Sequence, residues 1–223
     1  MTGSKISQQI DLIKQEISSN IELIAVTKQV SIEAMRTAYA AGIKNFAENR
    51  LQEALEKQQQ LQDLSDVKWH FIGHIQKNKA KKVLENFDWI HSVDSLSLAK
   101  RLNRLSEELN SRPKVLLQVK VLPDPNKYGW DVASLLDDLA DLNHCKQLNF
   151  QGLMTILPLG LSEKETFGAF QATQELAASI NSQNYDNLTM KELSMGMSGD
   201  YRLAIKAGAT KIRLGRIIFG ERK

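Results

Sequence analysis

The sequence predicts an α/β protein, a single (β/α)8 barrel domain that spans residues 1–223 and begins with an extra helix. Eight short strand-like segments alternate with stretches of helical periodicity, the order that builds a parallel sheet with crossover helices. The first segment is continuously apolar, as in a strand buried on both faces. No linker rich in glycine, proline or serine divides the chain, and its length suits one barrel. An open doubly wound sheet is the alternative, but no G-x-G-x-x-G motif follows the first strand.

A helix is predicted before the first strand, because Ile6, Ile10, Ile13 and Ile17 recur at spacings of four, three and four residues on one helical face. The eight predicted strands follow at residues 23–27, 45–47, 68–72, 89–92, 115–119, 150–156, 192–195 and 211–214.

Helix signals separate these strands. Leucines at positions 98, 102, 105 and 109 form an apolar stripe, with Asp94 or Ser95 before it as the N-cap. Asp131 precedes a second leucine stripe, and Ser162 with Glu165 forms a capping box before a third helix.

Composition narrows the classes of function. The net charge is +3, from 29 basic and 26 acidic residues, which is too small to predict a nucleic-acid partner. Cys145 is the single cysteine, so no intramolecular disulfide is possible, as suits a reducing compartment. The sequence has no apolar run long enough to span a membrane and no secretory signal at its start. We therefore expect a cytoplasmic, monomeric protein without a membrane segment.

Lys28 directly follows the first predicted strand, at the end of a barrel strand where active sites lie. Partial burial disfavours the charged form of a lysine and leaves a nucleophilic amine that forms a Schiff base with an aldehyde. The simpler alternative is a lysine that leaves the strand for solvent.

Two glycine-containing loops follow the seventh and eighth predicted strands, at residues 194–200 and 213–216. Barrels often bind phosphate between these two loops, and glycine lets the backbone approach a ligand closely. A nucleophilic lysine facing a phosphate site predicts a phosphorylated aldehyde, of which pyridoxal 5′-phosphate (PLP) is the commonest. In this arrangement Arg213 could contact the pyridine nitrogen, and Asn49 could donate a hydrogen bond to the phenolic oxygen.

Six motifs, which span nearly the whole chain, resemble those of the pyridoxal phosphate homeostasis proteins. They are IAVTK at 24–28, FAENRLQE at 46–53, WHFIGHIQKNK at 69–79, GLMTI at 152–156, LSMGMSGDY at 193–201 and IRLGRIIFGER at 212–222. The resemblance implies a fold-type III barrel, similar to the N-terminal domain of alanine racemase, and PLP bound to Lys28 as an internal aldimine. It implies cofactor contacts from Asn49, Met197, Ser198, Gly199, Arg213, Gly215 and Arg216. It also implies that Met195 packs near the ring and that His74 lies at the mouth of the barrel.

One position departs from the family pattern. Arg216 stands where the family often has a small hydroxyl residue, so a backbone N–H or the arginine charge has to replace that contact with phosphate.

The family is regarded as regulating PLP and amino or keto acid balance without established catalysis, so the resemblance implies PLP binding without evident turnover, with PLP-dependent apoenzymes as possible partners. Three alternatives stay open: a PLP-dependent racemase or other PLP enzyme, an aldolase that uses Lys28 on its substrate, and a binding module that senses PLP for a protein partner. No metal site is predicted, because His70 and His74 lie in a strand pattern, where side chains four residues apart do not converge.

Overall fold

The computed structural model describes residues 2–221, and within them eight parallel strands close into a barrel. Each strand pairs with its neighbours in the sequence, and the last strand pairs with the first. The predicted (β/α)8 barrel is therefore confirmed. The barrel strands are β1 (Glu22–Val26), β2 (Asn45–Glu48), β3 (Lys68–Phe71), β4 (Trp89–Val93), β5 (Lys114–Lys120), β6 (Asn149–Met154), β7 (Leu188–Ser194) and β8 (Lys211–Leu214).

Helices connect the strands and pack on the outside of the barrel. They are α1 (Gly3–Glu16), α2 (Ile32–Ala40), α3 (Leu51–Gln60), α4 (Ala80–Asn86), α5 (Leu96–Glu108), α6 (Val132–Asn143), α7 (Glu163–Ser182), α8 (Tyr201–Lys206) and α9 (Arg216–Phe219). The largest apolar core lies between these helices and the strands.

Helix α1 stands before the strand–helix alternation, as predicted. Ile6, Ile10 and Ile13 are each at most 2% exposed, and the helix packs against α2 and α9. Burial of each isoleucine stabilises this packing by roughly 1.5–3 kcal/mol. The apolar stripe thus packs this helix against its neighbours.

The predicted helix starts are confirmed by their hydrogen bonds. The Ser95 hydroxyl accepts from the backbone N–H of Leu98, and Asp131 caps α6 in the same way. Ser162 and Glu165 form both hydrogen bonds of the capping box. Asp94, the alternative cap of α5, pairs with a histidine at the barrel mouth instead.

Several strand ends lie one or two residues from their predicted positions, the strand predicted at 150–156 ending at Met154, and two features of the sheet differ by more than that. Strand β7 begins at Leu188 rather than at residue 192. Leu188 and Met190 are buried in this added part of the strand, whereas Lys191, which follows them, is exposed. This alternation is typical of a half-covered strand end, not of a continuous apolar run. An extra two-residue strand, Trp130–Asp131, pairs with the end of β5 and fixes the loop between them.

The carboxyl ends of the strands surround one mouth of the barrel. Below the mouth the interior holds two small apolar clusters, centred on Ile24 and on Leu116. Among the described helices, none is both long enough and apolar enough to cross a membrane.

Candidate functional site

A cavity of about 600 Å³ opens at the carboxyl ends of the strands. This volume lies in the range of ligand pockets, and the position is that of active sites in this fold. The cavity is lined by all eight residues that were predicted to bind the cofactor: Lys28, Asn49, Met197, Ser198, Gly199, Arg213, Gly215 and Arg216. Their convergence in one cavity is an observation, whereas their roles stay predictions.

Lys28 is half-buried just beyond the end of β1, and its two neighbouring peptide groups are held in place. On one side, the carbonyl oxygen of Thr27 accepts from Lys57 Nζ at 2.6 Å. On the other side, the N–H of Gln29 donates to Glu53 Oε1 at 2.5 Å, and Gln29 has a φ of 60°. A non-glycine residue in this left-handed region needs support from its surroundings. The backbone around Lys28 is therefore fixed by side chains of α3.

A buried ion-pair cluster provides that support. Lys57 Nζ lies 2.8 Å from Glu48 Oε1 and 2.6 Å from Glu53 Oε1, and the Thr27 hydroxyl donates to Glu48 at 2.7 Å. Burial raises the pKa of Glu48, although the hydrogen bonds from Lys57 and Thr27 oppose this. Burial also acts to raise the pKa of Glu53, but the hydrogen bonds from Lys57 and Gln29 outweigh it and leave that pKa lowered.

The loops after β7 and β8 are joined by Ser198. Its hydroxyl accepts from the N–H groups of Gly215 and Ile217, at 3.4 and 3.3 Å. Ser198 does not cap the following helix, because Asp200 holds the N-cap position of α8 and accepts from the N–H of Met197. The consequence is a single cradle made of both loops, rather than two separate turns.

Arg213 enters the cavity from β8 and is only 3% exposed. Its guanidinium donates to the Ser194 hydroxyl at 2.6 Å and to the carbonyl oxygen of Thr155 at 2.8 Å. Burial lowers the pKa of Arg213 to about 10, and the nearby Asp200 opposes this decrease. At neutral pH the side chain is thus a fixed cation in the cavity wall.

The side chain of Arg216 behaves differently, since it is 61% exposed at the rim. A long contact of 4.0 Å joins it to Glu221. Met195, by contrast, is completely buried in the layer between sheet and helices and does not line the cavity.

The close approach of two strand ends shapes the cavity beside Asn49. A Cβ atom on Gly73 would lie 2.1 Å from the carbonyl oxygen of Asn49, so only glycine fits there without a backbone shift. Asn49 Oδ1 is buried and accepts no hydrogen bond from any residue in the described range 2–221. Since buried polar atoms are nearly always paired, this amide has hydrogen-bonding capacity left for a ligand.

One side of the mouth is closed by Tyr128 and Gln118, which the sequence did not single out, together with His74, which it did. The ring of Tyr128, in the loop after β5, stacks on that of His74 with centroids 3.7 Å apart. His74 Nδ1 is 2.7 Å from Asp94 Oδ2, and Gln118 Nε2 donates to the carbonyl oxygen of Tyr128 at 2.8 Å. The rule that barrel sites form at strand ends could have singled out this loop, but its residues carry no motif.

The chemistry of this cavity suits a phosphorylated aldehyde with an aromatic ring. A lysine, a buried arginine and a cradle of two glycine-containing loops line its walls. Of residues 2–221, no group of three or more histidine, cysteine or acidic side chains could hold a metal ion.

Comparison with known proteins gives matches that cover nearly the whole chain. The family model described as the alanine racemase N-terminal domain matches residues 2–223. The pyridoxal phosphate homeostasis protein of Synechocystis is 54% identical over 203 residues, which cover 91% of this chain and 92% of that protein. That of Pseudomonas aeruginosa is 39% identical and covers 92% of this chain and 86% of its own length.

Solved structures match over the same extent. PipY of Synechococcus elongatus PCC7942, determined with PLP bound, superimposes with a TM-score of 0.92 at 47% identity, covering 96% of this chain and all of that chain. An alanine racemase of Clostridium difficile 630 gives a TM-score of 0.81 at 14% identity, with 98% of this chain and 57% of that chain covered, which shows a shared fold alone.

Proposed function

The chain belongs to the family of pyridoxal phosphate homeostasis proteins, built on the alanine racemase N-terminal domain, and from this we propose that it binds PLP in the barrel cavity and serves PLP homeostasis. One observation carries the proposal for this chain. The half-buried Lys28, the buried Arg213 and the cradle joined by Ser198 all line one cavity.

Lys28 is the residue that we propose to hold PLP. Its Nζ would bind the aldehyde carbon of the cofactor as a Schiff base, with the aldehyde oxygen released as water. The fixed backbone on both sides of Lys28 supports this role, because it lowers the cost of ordering this segment when the cofactor binds. The cofactor supplies the reactive aldehyde and an electron-withdrawing ring.

The other predicted residues bind and orient the ring. The cradle at Ser198, Gly199, Gly215 and Arg216 would take the phosphate, with the exposed guanidinium of Arg216 in place of a hydroxyl. Asn49 lines the same cavity and would donate its side-chain N–H to the phenolic oxygen at the ring edge. Arg213, a cation that only donates hydrogen bonds, would face the pyridine nitrogen and keep it unprotonated.

Absorption spectroscopy tests this proposal. We expect purified protein with added PLP to show the visible band of a Schiff base, and the Lys28→Ala variant to lack it. Lys127→Ala is the matched control, because Lys127 also lines the cavity and should be dispensable. A wild-type protein that stays colourless with PLP would refute the proposal.

For the biological role, we propose storage and delivery of PLP to apoenzymes by a cytoplasmic monomer rather than turnover of a substrate. Arg213 supports this, because an unprotonated ring is a weaker electron sink than a protonated one. Transfer is measured by mixing the PLP-loaded protein with a PLP-dependent apoenzyme and a trap for free PLP. Recovery of apoenzyme activity despite the trap is the expected result, and loss of recovery would contradict direct delivery.

A second candidate is slow proton transfer on bound amino acids, and one observation favours it. The His74–Asp94 pair at the mouth has the geometry of a base oriented by a carboxylate. Exchange of the amino-acid α-hydrogen in heavy water, lost in His74→Asn, would establish this activity, whereas its absence in the wild type would leave binding alone.

A further inference from the structure

A line of four buried polar side chains crosses the barrel interior beneath the cavity. Barrel interiors are usually packed with branched aliphatic side chains. Here Arg213, Ser194, His91 and His70 are each at most 3% exposed and lie on four different strands. The cofactor site proposed above uses only the first of them, so the other three need an explanation.

These side chains form a continuous hydrogen-bonded chain. The Arg213 guanidinium is 2.6 Å from Ser194 Oγ, which is 2.8 Å from His91 Nδ1. His91 Nε2 is 2.9 Å from His70 Nδ1. At the far end, His70 Nε2 is 3.1 Å from Asn45 Oδ1. The ring of His70 is also stacked against Trp89, with an interplanar angle of 6°.

Both histidines are neutral at physiological pH. Burial lowers the pKa of His70 to about 3, with the charges of Lys211 and Lys114 as further causes. Burial also lowers the pKa of His91 well below its usual value. A neutral imidazole has one donor nitrogen and one acceptor nitrogen, so each histidine passes the direction of a hydrogen bond from one neighbour to the next.

The two ends of the chain fix that direction. Arg213 can only donate, so Ser194 Oγ accepts from it. At the other end His70 Nε2 faces the side-chain oxygen Oδ1 of Asn45, and beyond it Glu22 Oε1 at 3.7 Å. Glu22 is paired with Lys211 through its other oxygen at 2.9 Å, while Oε1 is buried without a hydrogen-bond partner in the described part of the chain. His70 Nε2 therefore carries the proton.

The remaining protons follow from this assignment. His70 Nδ1 accepts from His91 Nε2–H, and His91 Nδ1 accepts from the Ser194 hydroxyl. Each hydrogen bond then has one donor and one acceptor. In the reverse direction the Ser194 oxygen would accept from both Arg213 and His91, so its own proton would have no acceptor within this series. His70 Nε2 would then be an acceptor that faces the acceptor Asn45 Oδ1.

We propose that His91 and His70 are positioning residues that hold Arg213, through Ser194, as a fixed donor toward the ring nitrogen of the bound cofactor. The part that concerns the cofactor rests on the proposed function. The direction of the chain does not, because it is a property of the protein without PLP.

Nitrogen-15 NMR of the histidine rings in the PLP-free protein tests the direction. Both His70 and His91 should be neutral between pH 6 and 8 and protonated at Nε2. A proton on Nδ1 of either ring, or a doubly protonated ring, would overturn the proposal whether or not the protein binds PLP.

Variants loaded with PLP test the effect on the site. His91→Phe keeps an aromatic ring but leaves the Ser194 hydroxyl without its acceptor. We expect its Kd for PLP to rise up to about tenfold, the size of one hydrogen bond between neutral groups, and its absorption maximum to move. His91→Gln, which retains a donor and an acceptor, should restore most of both properties.

Met154→Leu, a substitution of similar volume in the barrel interior, is the control and should leave both properties unchanged. An unaltered maximum and affinity in His91→Phe would refute the positioning role. If the wild type takes up no PLP, the proposed function fails and the NMR result alone decides the direction of the chain.

Discussion

At the scale of residues, the site depends on side chains that never reach the cavity. Lys57 lies in α3, distant in sequence from Lys28, yet its ammonium donates a hydrogen bond to the carbonyl oxygen of Thr27, directly before Lys28. Glu53 holds the N–H group just after it. The backbone that carries the nucleophile is thus held by a cluster of side chains. None of these residues is distinguishable in the sequence from an ordinary helix or strand residue.

Removal of Lys57 should therefore cost much more than removal of a surface lysine. Lys57→Met leaves Glu48 buried without its cation, and we expect the free energy of unfolding to fall by about 3–5 kcal/mol. Lys100→Met removes an exposed pair with Asp141 and should cost far less, because solvent screens that pair. Urea denaturation measures both variants, and equal losses would contradict the role of burial.

The buried histidines predict a loss of stability in acid. Because burial lowers the pKa of His70 to about 3, the unfolded chain binds a proton near pH 6.5 and the folded protein does not. Stability is retained above pH 6.5 and falls as the pH decreases from there toward 3. At pH 5 His70 alone should cost about 2 kcal/mol relative to pH 7.

The variant His70→Gln isolates this contribution, since glutamine does not titrate. Its unfolding free energy, measured in urea at pH 7 and pH 5, should decrease by about 2 kcal/mol less than that of the wild type. His144→Gln, at an exposed position, is the control and should keep the slope of the wild type. Parallel slopes for His70→Gln and the wild type would show that His70 is not buried neutral.

At the scale of elements, periodicity and capping residues predicted the helices and strands, but not the contacts between their ends. Ser162 and Asp131 act locally, so the sequence around them is sufficient. The start of β7 and the stacking of Tyr128 on His74 depend on neighbours that are distant in the chain. No local pattern carries that information.

The contact between the ends of β2 and β3 yields a prediction about glycine. In Gly73→Ala the new methyl group would overlap the carbonyl oxygen of Asn49, and we expect a loss of roughly 1–3 kcal/mol in stability. Gly168→Ala, in the middle of α7 with open space around its Cα, should instead stabilise by roughly 0.5–1 kcal/mol. Thermal unfolding of both variants should show shifts of opposite sign.

The loop after β5 yields a prediction about release of the ligand. If Tyr128 closes one side of the mouth by stacking on His74, Tyr128→Ala should accelerate PLP dissociation roughly two- to tenfold, in keeping with the strength of an aromatic pair. Tyr128→Phe retains the ring and should release PLP at the wild-type rate. Stopped-flow absorption with a PLP trap measures this, and equal rates in all three proteins would contradict a role for the stack.

At the scale of the whole molecule, the barrel converts positions in the sequence into one site. Residues from 28 to 216 meet because parallel strands end at the same side of the sheet. From this rule the sequence alone predicts that the eight residues share one cavity. The same rule does not predict the series of hydrogen bonds from Arg213 to His70, because polar contacts in the interior depend on which strands face each other across the barrel.

The central claim is that Lys28 holds PLP, and chemical trapping tests it most directly. The protein is mixed with PLP, reduced with borohydride, digested and analysed by mass spectrometry. We predict that the reduced pyridoxyl adduct lies on the peptide that contains Lys28 and is lost in Lys28→Ala but retained in Lys127→Ala. An adduct on another lysine, or none at all, would contradict the account.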